Sequence, residues 1–511
     1  MSETSQVNNK RIAKNTLLLY LRMLFLMLIS LYTSRIILNA LGVEDYGIYN
    51  VVGGVVSMFS IITASFSASV SRFMTFSLGE KNFERLSKVF SSSVIIQTVI
   101  AIFIIIIIEL VGIWFLNNKL SIPEERLEAA NWVMHCSILI FAVNLVTVPF
   151  NASIIAHEKM DIFAIISVFE GFLKLGMAFL VRVATTDKLV LYACLLLVIS
   201  LVTFFLYSIY CRIKFPECKF HFIIEKPLLK EMTGFAGWTM LGNGAYMFNT
   251  QGVNIIINIF YGVTLNAARG VATQVESAVT QFVNSFMTAL NPQITKSYAE
   301  GNINYMHALV CRGAKFSFFL MLFFAVPICI ETEQILTIWL IIVPDYAISF
   351  VRLTFVASMC TVLGNTLVTS QLATGKIKKY QIVVTLVGLW VFPLTWFAFY
   401  LGASPVWAYI IYSSIYFVLI FVRIYLVKDL IYLKWSRFIR DVLVKCLIVT
   451  LASLFLPMLI YYVQSPSISR LIEILITGFL STAISIYILG LEKNERFFIN
   501  DYIKRKWTGN R

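Results

Sequence analysis

The sequence predicts an all-α integral membrane protein with about fourteen transmembrane helices. Of its 511 residues, 59% are hydrophobic and only 13% are charged, whereas a soluble protein of this length carries about a quarter charged residues. Apolar runs of about eighteen residues or more recur along almost the whole chain. Each is long enough to cross a hydrocarbon core of roughly 30 Å as a helix.

The apolar runs place the helices in the following order. The predicted ranges are 15–41, 46–77, 89–116, 131–155, 162–184, 189–211, 233–260, 263–291, 316–341, 347–373, 381–402, 405–427, 442–463 and 469–490. An even number of spans puts both termini on the same side of the membrane.

Lys and Arg residues accumulate in alternate loops, which is the pattern of loops on the cytoplasmic side. Basic residues precede the first helix, follow the second and sixth, and recur near 293–315, 374–380 and 428–440. The intervening loops, such as 42–45 and 401–405, carry few of them. Both termini and the loops 79–88, 212–232 and 374–380 are therefore predicted to be cytoplasmic. This topology accounts for the net charge of +14 without a nucleic-acid partner.

An internal repeat divides the chain. Gly42 and Val43 align with Gly262 and Val263 at an offset of 220 residues, and Gly79 aligns with Gly301 at an offset of 222. The repeat predicts two six-helix lobes related by a pseudo-twofold axis along the membrane normal, with a site at their interface. The predicted parts are an N-terminal lobe 1–211, a cytoplasmic linker 212–232, a C-terminal lobe 233–427, two further helices in 428–490 and a basic cytoplasmic tail 491–511.

The eighth predicted helix carries polar residues where lipid tails would lie. Arg269, Thr273 and Glu276 share one face at 100° per residue, and ionisable residues within spans normally face protein or a water-filled cavity. This helix is therefore predicted to line a cavity. An ion pair between Arg269 and Glu276 is the structural alternative.

The seventh helix presents a similar row. Asn243, Tyr246, Thr250, Asn254 and Asn258 fall within about 60° of one direction. Their donors and acceptors suit sugar hydroxyls, and the alternative is hydrogen bonding between helices.

Three further charged residues are candidates. Arg22 and Arg35 lie in the first helix, where each either contacts substrate or extends to the membrane interface. Glu109 has no evident partner in the sequence and, with Glu276, is a candidate for ion coupling. Glu170 and Lys174 are predicted to pair along their helix. No metal site, disulfide framework or cofactor is predicted, because the eight cysteines are scattered and no phosphate-binding GxxxxGK[ST] loop occurs.

Three stretches resemble a known family: LNALGVEDYGIYNVV (38–52), RFMTFSLGEKN (72–82) and NPQITKSYAEGN (291–302). They look like the polysaccharide transporter branch of the MOP superfamily, whose fold is MATE-like, and in particular the O-antigen-type flippases. Val43 departs from the family, where many relatives have proline.

The resemblance implies a bacterial inner-membrane flippase that moves polyprenyl-diphosphate-linked oligosaccharide to the periplasmic leaflet by alternating access. Its expected partners are that substrate, membrane lipid, and the machinery of glycan polymerisation and export. A cation-coupled drug exporter of the same superfamily is the alternative. An enzyme is not predicted, since the loops are short and no DxD motif occurs.

Overall fold

The computed structural model describes residues 3–57, 59–114, 116, 122–221, 225–261, 263–340, 343–493, 495–497 and 500. These residues form helices joined by short turns and contain no strand. The all-α membrane fold predicted from composition is confirmed. Most of the predicted basic tail 491–511 lies outside the described residues.

The first half of the chain forms six helices. They are α1 (Glu3–Ser57), α2 (Ser60–Gly79), α3 (Phe83–Ile107, continued by a π turn Ile108–Gly112), α4 (Leu127–Ala156), α5 (Met160–Val183) and α6 (Lys188–Lys214).

Helix α1 bends sharply at Gly42. The sequence predicted a loop at 42–45, but only Gly42 leaves the helical conformation, with φ 80° and ψ 172°. Glycine lacks the Cβ atom that makes positive φ unfavourable, so one residue suffices for the bend. The segment Arg11–Gly42 is the first candidate span. The second predicted helix, 46–77, covers the end of α1 and α2 up to its last two residues.

The second half is also helical. It comprises α7 (Lys226–Tyr261), α8 (Val263–Ala299), α9 (Ile303–Ile330), α10 (Thr332–Leu340), α11 (Ala347–Thr374), α12 (Lys378–Leu389), α13 (Val391–Tyr400), α14 (Trp407–Ile431), α15 (Trp435–Phe438, a π turn Ile439–Val444 and Lys445–Val463) and α16 (Ile468–Ser485 with a π turn Ile486–Gly490).

The predicted loop of about twenty residues near 293–315 is wrong. Helix α8 continues to Ala299 and α9 begins at Ile303, with a turn at Gly301, where φ is 73°. Lys315 is not a loop charge, because its side chain is 1% exposed and its Nζ lies 2.8 Å from a carboxylate oxygen of Glu495. The charge of a paired, buried lysine does not mark a solvent loop.

Eleven helical segments among the described residues are long and apolar enough to cross a membrane. The three predicted spans outside this set are 46–77, 233–260 and 263–291, which makes fourteen in total. Two of these three, α7 and α8, carry the polar faces recognised in the sequence. A span that is polar on one face needs protein or water beside that face rather than lipid tails.

The chain divides into two compact units. The first unit comprises residues 1–244, 288–303 and 375–381, and the second comprises 245–287, 304–374 and 382–511. In the first unit α4 packs along α6 and α1 along α5; in the second, α11 packs along α14 and α15 along α16. The α4–α6 and α11–α14 pairs occupy equivalent places in the predicted repeat.

A buried carboxylate organises one end of the first unit. Glu158 lies in the turn between α4 and α5 with φ 58°, and its side chain is 1% exposed. Arg11 Nε lies 2.7 Å and Lys296 Nζ 2.6 Å from its carboxylate oxygens, and Gln293 donates a hydrogen bond to it. The beginning of α1 and the end of α8 are thereby joined to this turn.

Candidate functional site

The second unit contains a cavity of about 550 Å³, here called the Arg269 cavity. It lies between the C-terminal part of α7 and the first turns of α8. Its polar lining residues are Thr250, Gln251, Asn254, Arg269 and Thr273, and Gly270, Ile255 and Ile259 complete the wall. Four residues of the polar faces predicted on α7 and α8, Thr250, Asn254, Arg269 and Thr273, are therefore brought together.

Arg269 is the charged group of this cavity, and its side chain is 9% exposed. Its Nη2 donates a hydrogen bond of 2.8 Å to the Thr250 carbonyl oxygen, and its guanidinium carbon lies 5.9 Å from the centre of the Tyr409 ring. Its buried Nη1 has no hydrogen-bond partner among the described residues. Within the same residues, no carboxylate lies within ion-pair distance of Arg269.

The neutral polar residues are partly engaged by their own helices. The Thr250 hydroxyl donates to the carbonyl oxygens of Tyr246 and Met247, and the Thr273 hydroxyl donates to those of Arg269 and Gly270. A hydroxyl that donates in this way can still accept a hydrogen bond. Asn254 Nδ2 donates to Gln251 Oε1 over 3.3 Å, which leaves the Asn254 carbonyl oxygen and the Gln251 amide group available as further polar lining.

Glu276 is not the partner of Arg269. Its Oε1 accepts hydrogen bonds from Thr280 Oγ1 at 2.6 Å and from Ser358 Oγ at 2.7 Å, and so connects α8 to α11. Neither Glu276 nor Tyr246 lines the Arg269 cavity. The alternative of an Arg269–Glu276 ion pair is therefore wrong.

The first unit holds a second cavity of about 500 Å³, here called the Arg22 cavity. It is enclosed by α1, α5 and α6, and its lining includes Arg22, Ser30, Thr33, Glu170 and Lys174. The predicted pairing along α5 is confirmed, because Lys174 Nζ lies 2.6 Å from Glu170 Oε1. Arg22 stacks over the Phe163 ring at 4.3 Å, and its buried Nε has no partner among the described residues.

Other candidates lie outside both cavities. Arg35 is exposed on α1 and lines neither. Asn243 belongs to the first unit, where its Nδ2 donates to Ser65 Oγ at 3.0 Å and joins α7 to α2. The row predicted on α7 is thus divided between helix packing and cavity lining. The side chain of Asn258, its last member, lies outside the described residues.

Glu109 has a partner that the sequence did not reveal. Its Oε1 lies 2.9 Å from His135 Nδ1, which joins the π turn after α3 to α4. The two residues are 26 positions apart, and no periodicity links them. The expectation that Glu109 is unpartnered is therefore wrong, although its assignment to ion coupling stays a prediction.

Two residues of the second unit were missed by sequence reasoning. Asn249 is 1% exposed, and its Nδ2 donates a hydrogen bond of 2.8 Å to the Gly388 carbonyl oxygen. This bond joins α7 to α12. Asn249 precedes Thr250 in the chain and does not belong to the predicted polar row. Tyr409 faces Arg269 from α14. A tyrosine in an apolar helix carries no sequence signal for such a contact.

Residues 12–298 match the family model described as polysaccharide biosynthesis protein, which is more than half of the chain. The chain belongs to this family. Its resemblance to the polysaccharide branch of the MOP superfamily is thereby confirmed. No functionally curated protein matches the chain.

Solved structures with the same fold are MATE proteins and related MOP transporters. A MATE in complex with MaD3S superposes with a TM-score of 0.70 at 16% identity, covering 84% of this chain and 100% of that one. An outward-facing multidrug resistance MATE family transporter superposes with a TM-score of 0.70 at 15% identity, covering 84% of this chain and 99% of that one. A MOP superfamily transporter from Pyrococcus furiosus superposes with a TM-score of 0.70 at 15% identity, covering 86% of this chain and 99% of that one. The family member described here is thus a multi-pass membrane protein with a MOP-type transporter fold.

Proposed function

We propose that this protein is a flippase, and not an enzyme, that moves polyprenyl-diphosphate-linked oligosaccharide from the cytoplasmic to the periplasmic leaflet of a bacterial inner membrane. The family description supplies the polysaccharide context, and the fold neighbours supply the transporter architecture. Both termini are proposed to be cytoplasmic, and alternating access of the two lobes is the proposed mechanism.

The observation that carries the proposal is the state of Arg269. A buried cation within a span costs about 2.5 to 3.5 kcal/mol on insertion scales, and it normally pairs with an opposite charge or with backbone carbonyl oxygens, or faces a water-filled cavity. The Thr250 carbonyl oxygen binds Arg269 without neutralising its charge. Arg269 has no carboxylate partner among the described residues, and its Nη1 is unpaired there. A guanidinium remains charged at every relevant pH and binds phosphate oxygens in pairs. The diphosphate of the cargo would therefore complete this site.

The neighbours of Arg269 extend the proposed substrate contacts. Thr250, Asn254 and Thr273 supply hydroxyl and amide groups beside it, and these suit either phosphate oxygens or the first sugar. Arg22 is a proposed substrate contact in its own cavity. Arg35, Asn243 and Tyr246 are proposed contacts at other stages of transport, when the helices around them rearrange.

The driving force follows from charge. With the cytoplasm negative, outward movement of one net negative charge is favourable by roughly 2.3 kcal/mol per 100 mV. Ion coupling through Glu276 or Glu109 would add to this term. Glu276 Oε1 accepts hydrogen bonds from two hydroxyl groups, those of Thr280 and Ser358.

The alternative is a cation-coupled drug exporter, whose cargo is itself cationic. A cationic cargo requires carboxylates in the site, and no described residue lining the Arg269 cavity is acidic. For the Pyrococcus furiosus transporter, reversed polarity of the binding pocket is reported to suggest a different function. By the same reasoning, the single arginine here favours an anionic cargo over a cationic one.

Reconstitution into liposomes tests the proposal. A fluorescent polyprenyl diphosphate carrying a tetrasaccharide is placed in both leaflets, and its accessibility to an external quencher is followed in time. We expect the protein to accelerate transbilayer movement of this lipid and to leave the cationic dye ethidium untransported. Transport of ethidium without movement of the lipid would favour the drug exporter.

A further inference from the structure

We infer that the Arg22 cavity is a saccharide-binding site that recognises hydroxyl groups of the glycan. This inference rests on the proposed function and adds to it a second site of different chemistry. It concerns the first unit alone.

The cavity extends along much of the length of the spans that line it. Along α1 its lining runs from Arg22 to Ile37 and continues beyond the bend at Gly42 with Tyr46 and Tyr49, and along α5 it includes Glu170 and Lys174, near the middle of that helix. Fifteen residues of α-helix extend roughly 22 Å. A cavity of about 500 Å³ falls within the usual size of small-molecule sites, roughly 300 to 1,000 Å³. It is therefore large enough for one or two sugar rings.

Its lining offers donors and acceptors side by side. Glu170 accepts hydrogen bonds, Lys174 and Arg22 donate them, and the hydroxyls of Ser30 and Thr33 do both. The buried Thr33 Oγ1, like Arg22 Nε, has no hydrogen-bond partner among the described residues. Buried polar atoms without partners are unfavourable. Sugar hydroxyls, which donate and accept in the same way, would satisfy them.

The cavity also has an aromatic wall. Tyr49 and Tyr192 line it, with ring centroids 4.8 Å apart in an edge-to-face arrangement. Tyrosine presents an apolar ring together with a polar tip. The apolar C–H surface of a pyranose ring fits against such rings while its hydroxyls reach the polar groups opposite.

A diphosphate does not suit this cavity as it suits the Arg269 cavity. Lys174 Nζ already lies 2.6 Å from Glu170 Oε1, and Arg22 lines the same cavity as this carboxylate. Glu170 therefore competes with phosphate for Lys174, and its negative charge repels phosphate from the cavity. The Arg269 cavity, in contrast, has one arginine and no acidic lining residue among those described. The charges of the two cavities thus assign the anion to Arg269 and the neutral, hydroxyl-rich part of the cargo to the Arg22 cavity.

The test compares two lipids in proteoliposomes, bare polyprenyl diphosphate and the same lipid carrying a tetrasaccharide. The test variant is Ser30→Ala/Thr33→Val, which removes two hydroxyls from the cavity and keeps the volume nearly unchanged. The matched control is Ser200→Ala/Thr203→Val on α6. Those hydroxyls donate to the carbonyl oxygens of Leu197 and Ile199 in their own helix and do not line the cavity. Thr33→Val alone serves if the double variant has reduced thermal stability.

The measured quantity is the ratio of the initial transport rates, sugar-bearing lipid over bare lipid. We expect the cavity variant to lower this ratio about ten-fold, as for the loss of one to two hydrogen bonds, and the control to keep the wild-type ratio. A wild-type ratio in the cavity variant, or an equal loss of both lipids, would overturn the inference. Arg269→Ala, in contrast, is expected to reduce the transport of both lipids to the rate of protein-free liposomes. Failure of the wild type to move either lipid would contradict the proposed function itself.

Discussion

Arg269 Nη2 donates a hydrogen bond to the Thr250 carbonyl oxygen at 2.8 Å and so joins α8 to α7. A carbonyl oxygen fixes the position of the guanidinium without neutralising it. The positive charge therefore remains uncompensated by any described residue, beside a cavity lined by amides and hydroxyls. This arrangement differs from a structural ion pair, and it fits the anion site that we propose.

The first prediction concerns folding of Arg269 variants. Arg269→Ala should insert and fold nearly as well as the wild type, within about 1 kcal/mol, because it removes one hydrogen bond together with a charge that disfavours insertion. The double variant Arg269→Ala/Glu276→Ala should be no more stable than the single one, since Glu276 keeps Thr280 and Ser358 as donors. Membrane abundance and thermal unfolding in detergent are measured for the single and the double variant. Recovery of stability on adding Glu276→Ala would show that the two residues depend on each other.

The second prediction concerns the buried pair Glu331–Arg470 of the second unit. Arg470 Nε and Nη2 lie 2.7 and 3.1 Å from the two carboxylate oxygens, and the side chains of Arg470 and Glu331 are 6% and 1% exposed. Glu331→Ala should destabilise the protein by about 3 to 5 kcal/mol, because Arg470 is left buried without its partner. Unfolding in detergent measures the loss.

The control for that pair is Glu473→Ala, which removes an exposed carboxylate that accepts a hydrogen bond from Gln464 and should change stability by less than about 0.5 kcal/mol. The apolar double variant Glu331→Leu/Arg470→Leu should regain most of the loss. A single Glu331→Ala variant as stable as this control would contradict the assignment of a buried pair.

The third prediction is a pH dependence at the start of α6. Burial alone would raise the pKa of Asp187, but the backbone amides of Val190 and Leu189 and the guanidinium of Arg126 outweigh it and hold the pKa below its usual range. A depressed folded-state pKa gives stability that is present above the unfolded pKa of about 3.9 and lost as pH falls through the folded value. The melting temperature of the wild type should therefore fall more steeply below about pH 4 than that of Asp187→Asn. Parallel curves for the two proteins would refute the linkage.

The fourth prediction is the proposed topology. In a variant lacking the eight native cysteines, all of which are free, Lys378→Cys should react with a membrane-impermeant maleimide only after the cells are permeabilised. Ser404→Cys, at the opposite end of the intervening span, should react in intact cells. Both positions are exposed, so the comparison isolates sidedness. Labelling of position 378 in intact cells would show that the orientation is the reverse of the proposed one.

Hydrophobicity and the periodicity of polar residues were sufficient to predict the fold class and the polar face of α8. Apolar length decides whether a helix spans a bilayer, and a polar face within a span requires a polar surrounding. Arg269 and Thr273 of the predicted face on α8 line the cavity together with Thr250 and Asn254 of α7, whereas Glu276, predicted on the same face of α8, does not. The sequence predicted a loop at 42–45 rather than a bend at one residue. The composition of the chain does not distinguish a short loop from a helix that is bent at a single glycine with positive φ.

Contacts between distant helices could not be read from the sequence. Glu109 and His135, or Lys315 and Glu495, are brought together by packing and by no local pattern. The division of the α7 row has the same cause. Asn243 and Thr250 are seven residues apart on one face, yet the first faces Ser65 of α2 and the second lines a cavity of the other unit. Helical periodicity gives a direction around one helix, but it does not give the neighbour.

The most direct test of the central claim is transport by Arg269→Lys and Arg269→Ala in proteoliposomes containing the tetrasaccharide-bearing polyprenyl diphosphate. Lysine keeps the charge but loses the paired donors of the guanidinium, so we expect Arg269→Lys to retain a reduced rate and Arg269→Ala to fall to the rate of protein-free liposomes. Arg352→Ala is a matched control, because Arg352 donates to the carbonyl oxygens of Cys329 and Ile330 and does not line the cavity. Wild-type transport by well-folded Arg269→Ala would contradict the account.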